Sequence, residues 1–190
     1  ISLANRHPRV NILQPGPGVG GHCIAVDPWF LVAGAPDTAH IIRTAREVNE
    51  AKTDFVIGRA IRMVEEHPGA KVACLGLAFK PNIDDFRESP AVTIAAALAR
   101  RFGEQIRLVE PFARALPMEF ACTNASLVAL DDALADCDIL IVLLDPDMFK
   151  SIPLEERDSK IVYDTRGVWP DQPKSTVPGG EAGNGLRRAA

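Results

Sequence analysis

The chain has 190 residues, a formal net charge of −4, 47% hydrophobic residues and 24% charged residues. At roughly 150 residues per domain, that is one full domain plus part of another, with enough chain for a real core. The mixture excludes a disordered chain, a collagen and a small disulfide scaffold; no run approaches the ~18 apolar residues of a membrane span, and the acidic balance argues against nucleic acid.

Residues 1–37 are rich in Gly and Pro and show little periodicity. They contain Gln14-Pro15-Gly16-Pro17-Gly18-Val19-Gly20-Gly21-His22-Cys23. Such density predicts a loop of fixed shape. Apolar flanks on both sides (Val10, Ile12, Leu13; then Ile24, Val26, Trp29, Phe30, Leu31) favour a functional loop over a disordered one. The run formally matches GxGxxG, but that fingerprint needs a strand before it and a helix after it. Pro15 precedes it, and Pro28 is expected to cut off any following helix. The better reading is a tight turn that brings backbone close to a ligand and holds Cys23 beside it.

Residues 38–66 predict one long helix. Ile42, Ala45, Asn49, Val56, Ala60 and Met63 recur at three, four or seven residues. His67-Pro68-Gly69 stops it. Ile41, Ile57, Ile61 and Val64 widen the apolar surface beyond one stripe. The helix is therefore expected to pack on two sides, as an interdomain or dimer helix would.

From Lys71 the pattern alternates. Residues 72–79 form a continuous apolar run, the mark of a buried parallel strand. Ser89 then Pro90 predicts a helix start, continued over 91–102. Further strands are expected at 105–109, 127–130, 139–144 and 160–163, with a short helix at 131–136. Together these predict an α/β fold: a long central helix, then a parallel sheet. Residues after Trp169 read as a mobile tail.

Cys23 is the candidate nucleophile, since a thiolate attacks carbonyl carbon well. The competing reading is a buried apolar cysteine. His22 beside it does not imply a dyad, because adjacent side chains usually point apart in extended chain. A metal site from His22, Cys23 and Asp27 lacks a fourth ligand. Asp27 is either a turn-capping residue before Pro28 or a carboxylate that handles a proton. Residues 79–90 join the first strand to its helix, where ligands bind in such sheets. Lys80 and Arg87 add positive charge there, and Arg166 follows the last strand. The alternative is a solvated charged loop. Cys74, Cys122 and Cys137 read as core or inert positions; no CxxC spacing and no signal peptide fit a reducing cytoplasm. The missing start methionine suggests a piece of a longer protein.

Two runs, PGPGVGGHCIAVDPWF and GLAFKPNIDDFRESPAV, resemble the UDP-sugar 6-dehydrogenase family. The resemblance implies an N-terminal NAD-binding Rossmann domain, absent here together with the family's catalytic lysine and asparagine. It divides this chain into a cysteine loop at 1–37, a central helix at 38–67 that forms a homodimer, a Rossmann-like UDP-binding domain at 70–169 and a tail at 170–190. The implied activity oxidises a sugar 6-hydroxyl to the acid with two NAD⁺, through a thiohemiacetal and a thioester on Cys23. This piece alone is expected to be inactive. Asp27 matches the carboxylate that assists proton transfer. Gly20, Phe79, Lys80 and Arg166 match substrate-binding positions, and Arg87 matches an arginine that reaches NAD. His7 and Arg9, with Arg6 as a rival, lie where the family sends an arginine into the neighbouring subunit. His22 and Val26 depart from the UDP-glucose pattern and resemble the N-acetylmannosamine branch. Another UDP sugar, N-acetylglucosamine or glucose, remains an alternative, as does a non-catalytic nucleotide-sugar module.

Overall fold

A computed structural model of the chain describes residues 3–9 and 14–170. The expected tail beyond 170 and the flank Val10, Ile12 and Leu13 lie outside the described residues. After a short 3-10 helix at Ala4–Arg6 and the segment 14–26 come helix α1, Asp27–Gly34, and helix α2, His40–Glu65. Five strands follow: β1 Val72–Leu75, β2 Ile106–Val109, β3 Ser126–Leu127, β4 Ile139–Val142 and β5 Ile161–Asp164. Helix α3, Pro90–Phe102, lies between β1 and β2; α4, Leu130–Asp136, precedes β4; α5, Asp147–Lys150, precedes β5.

All neighbouring strands are parallel, in the order β3-β2-β1-β4-β5. Val72 of β1 lies opposite Ile106 on one side and Ile139 on the other. Period-2 alternation sorts the strands into two cores. Val72, Cys74, Ile106, Leu108, Ile139 and Ile141 face α2 and α3. Ala73, Leu75, Val109, Leu140 and Val142 face Leu134, Phe149 and Trp169. Both sides of the sheet are covered, which is why the strands read as apolar runs. The strand order reverses between β1 and β4, and this switch point opens a crevice at the carboxyl edge.

α3 forms as its sequence predicts. Ser89 caps it, its hydroxyl accepting the Val92 N–H at 3.4 Å, and Pro90 takes the first helical position. The long helix α2 runs about 39 Å. Thr53, Val56, Ala60, Met63 and Val64 bury its carboxyl half in the core. The helix also packs on α1.

Several expectations need correction. Pro28 does not prevent a helix; it starts one. α1 begins at Asp27 with Pro28 in its first turn, where a missing N–H costs nothing. The run 72–79 pairs only as far as Leu75. Gly76 turns out of the ladder at φ 87, and a Cβ there would stand 2.5 Å from Leu144 Cβ. The third strand pairs at 126–127, earlier than expected, and α5 was not foreseen.

Candidate nucleotide cleft and the cysteine turn

A cleft of about 290 Å³ opens at the switch point. Ala78, Phe79, Lys80 and Pro81 form one wall, and Leu143 and Leu144 line the β4 side. Gln14, Pro17, Gly18, Val19, Gly20 and Ile24 form a second wall, with Arg166 packed beside Gly16. Three of the expected substrate positions, Phe79, Lys80 and Arg166, and the loop glycine Gly20 thus meet in one place.

The glycine segment is pinned by its backbone. The Val19 N–H donates to Asn49 Oδ1 at 2.9 Å, and the Thr53 hydroxyl donates to the Pro17 carbonyl at 3.0 Å. The Gly21 N–H donates to the Arg87 carbonyl at 3.1 Å. The segment therefore lies between α2 and the turn before α3. At Gly20 a Cβ would come within 2.3 Å of the Glu88 carbonyl oxygen. At Gly21, with φ 90, it would meet the Phe79 ring at 3.0 Å. Protein atoms fill the space in front of these glycines, and no strand precedes them among the described residues. They do not form a dinucleotide cradle, and a nicotinamide cofactor has no fitted phosphate site in this segment.

Beyond Gly21 the chain makes a tight turn. The Val26 and Asp27 N–H groups both donate to the Cys23 carbonyl, at 3.0 and 2.8 Å. Cys23 and Asp27 stand one helical turn apart, and both are exposed. Neither lines the cleft, but Gly20 and Ile24 on either side of Cys23 do. Cys74 and Cys137 behave differently. Burial, then the nearby Cys137, pushes the Cys74 thiol up to about 12. Burial, then the Asp136 charge, pushes Cys137 up to about 11. Cys122 is exposed and not core.

Arg87 forks onto Asp85: its Nε lies 3.0 Å from both carboxylate oxygens, and Nη2 lies 2.5 Å from Oδ2. These hydrogen bonds hold the Asp85 carboxyl down at about 2. Asp85, and more weakly Cys23, hold Arg87 protonated above its ordinary range. Arg87 is thus near the cysteine turn but on the face lined by His22, Val26 and Glu88, and does not line the cleft. Arg166 donates through Nε and Nη2 to Asp145 Oδ1, at 2.9 and 2.7 Å. Its Nη1 lies 3.5 Å from the Gln14 carbonyl. His7 and Arg9 are exposed, the Arg9 N–H donating to His7 Nδ1 at 3.3 Å, and neither lines the cleft.

Sequence reasoning missed the supports. Asn49 belongs to the helical repeat, yet a polar residue on an inward face, followed by Thr53 on the same face, is itself a signal. Asp145 and Glu110 sit just past strand ends, where apolar runs stop.

The fold and site define a doubly wound α/β domain with a cleft at its switch point and an exposed thiol on the turn that follows the glycine segment. The comparisons agree. Residues 73–171 match the UDP-binding domain of the UDP-glucose/GDP-mannose dehydrogenase family, and residues 1–51 match its central domain. The chain belongs to that family. It is 54% identical over 179 residues to the UDP-N-acetyl-D-mannosamine dehydrogenase of Salmonella typhi, covering 89% of this chain and 42% of that protein. It is 48% identical over 169 residues to the NDP-N-acetyl-D-galactosaminuronic acid dehydrogenase of Ralstonia nicotianae, covering 89% and 40%. The solved UDP-D-ManNAc dehydrogenase of Pyrococcus horikoshii superposes with a TM-score of 0.72 at 31% identity, over 93% of this chain and 42% of that one. The chain spans less than half the length of these relatives.

Proposed function

We propose that this chain is the nucleotide-holding and thiol-bearing part of an NAD-dependent UDP-sugar 6-dehydrogenase. The observation that carries the reading is the glycine segment clamped across the cleft, with Cys23 exposed at its far end. The diphosphate would lie between Lys80 and Arg166, with Phe79 against the nucleotide. Gly20, packed on the Glu88 carbonyl, would present its backbone to the sugar. The Cys23 thiol would then bond to carbon six once it is at the aldehyde level, and hold it through to the acid. Asp27, one turn away, would take the proton from the water that releases it. NAD⁺, when bound, would supply the oxidising power, and Arg87 would reach it.

The substrate favoured is UDP-N-acetyl-D-mannosamine. His22, Val26 and the 54% identity to the Salmonella enzyme support it. A second N-acetylated sugar is supported by the 48% relative from Ralstonia. Such substrates are soluble, which fits a cytoplasmic enzyme. Ile41, Val48 and Phe55 stand exposed (84%, 65% and 52%) seven residues apart on α2. We read this stripe as the face that meets a second copy, bringing the partner's amino-terminal basic residues toward the neighbouring site.

The test is NADH release by the protein of its relatives' length against a panel of UDP sugars. About two NADH per UDP-N-acetylmannosamine are expected, and Cys23→Ser should stop turnover before acid forms. Normal acid production by that variant would remove the nucleophile role.

A further inference from the structure

We propose that Glu110 is a positioning residue of the nucleotide cleft, acting through the backbone of Leu77 and Ala78. The proposal rests on the nucleotide reading of that cleft. After Leu75 the chain leaves the sheet: the Gly76 N–H still donates to the Val109 carbonyl at 2.8 Å, and the Leu77 and Ala78 N–H groups that follow pair with no strand. Leu77 and Ala78 are buried, at 0% and 1% exposure. Unpaired N–H groups there would be costly.

Glu110 reaches over from the end of β2, itself only 5% exposed. One oxygen, Oε2, accepts both the Leu77 N–H at 2.7 Å and the Ala78 N–H at 3.0 Å. Oε1 accepts the Phe112 N–H at 3.4 Å. From the other side the Ser89 hydroxyl donates to the Leu77 carbonyl at 2.6 Å. The Leu77 peptide is thus bracketed by β2 and the start of α3. Glu110 is the sole acid among the buried described residues. It does not line the cleft, but Ala78, Phe79 and Lys80, which follow the peptides it holds, do.

Position explains its use. In doubly wound folds the first turn after β1 offers its N–H groups to phosphate. Here a carboxylate occupies two of them. A nucleotide's negative charge is left to Lys80 and Arg166, so the direction in which Lys80 leaves the backbone matters. Glu110 sets that direction.

Titration calorimetry of the full chain with UDP, alongside thermal melts, tests this. Wild type binds. Glu110→Gln keeps an acceptor oxygen and should bind within about fivefold of wild type. Glu110→Ala should bind about 30-fold weaker. Glu110→Asp, one methylene shorter, should bind about tenfold weaker with a smaller drop in melting temperature than Glu110→Ala, and it carries the test should the Ala variant not fold. Lys80→Ala should cost much less in the Glu110→Asp background than in wild type, since the lysine is already misdirected. A purely stabilising role predicts otherwise: folded Asp and Ala variants binding like wild type, with Lys80→Ala costing the same in both backgrounds. Either result overturns the proposal. Failure of wild type to bind UDP would overturn the cleft reading itself, and is seen before any variant is made.

Discussion

The two walls of the cleft are built on opposite principles. The glycine wall, 14–21, works by lacking side chains at Gly16, Gly18, Gly20 and Gly21. Its backbone lies against Thr53, Glu88 and Phe79, and its hydrogen bonds run through main-chain atoms. The facing wall, 77–89, works through side chains: Glu110, Ser89 and the Asp85 carboxylate hold its backbone while Phe79 and Lys80 line the cleft. One wall should therefore fail when atoms are added, the other when atoms are removed. The two walls touch at Gly20, where Glu88 leaves no room.

The largest effect should come from adding atoms. Gly20→Ala drives a Cβ against the Glu88 carbonyl oxygen at 2.3 Å, a backbone atom that cannot swing aside. Overpacking of this kind costs about 1–3 kcal/mol, read as a melting temperature lower by roughly 5 °C. UDP affinity should fall with it. An unchanged melt and affinity would mean that the walls are not in contact in solution.

Removing atoms from the other wall comes next. Ser89→Ala deletes both the α3 cap and the bond to the Leu77 carbonyl. A cap is worth about 1 kcal/mol, and a buried carbonyl left unpaired about as much again. Denaturant unfolding should show the loss, and Ser89→Thr should recover part of it.

Much of this was legible in the sequence, and the reasons differ by residue. Ser89-Pro90 announced α3 because capping is local chemistry. The apolar runs announced β1 and β4 because both faces of the sheet are covered. Gly76 ended β1 early for a reason no window of sequence holds: the approach of Leu144, 68 positions on. The helix after Pro28 was missed because a proline that breaks a helix interior is welcome in its first turn. Cys23, Gly20, Phe79, Lys80 and Arg166 were legible through their motifs. Their supports, Asn49, Thr53, Glu110 and Asp145, were not, since each acts across 20 or more residues.

The smallest effect concerns pH. Asp85 titrates near 2 when folded, against 3.8 as its ordinary value. A lowered folded-state value means that its contribution is present above about pH 4 and fades as pH falls toward 2. Its exposure keeps that contribution small. NMR titration should place the Asp85 carboxyl near 2, and Arg87→Ala should return it toward 3.8. A normal midpoint in the unmodified chain would show that the fork is not held.

The central claim is that the Cys23 thiol stands at the sugar end of the nucleotide cleft, and alkylation rates measure this directly. Cys23 and Cys122 are both exposed, so Cys122 serves as the internal reference, while buried Cys74 and Cys137 should stay unlabelled. With UDP-N-acetylmannosamine present, labelling of Cys23 should slow several-fold relative to Cys122, as followed by mass spectrometry of the digested chain. An unchanged ratio of the two rates at saturating nucleotide sugar would contradict the account.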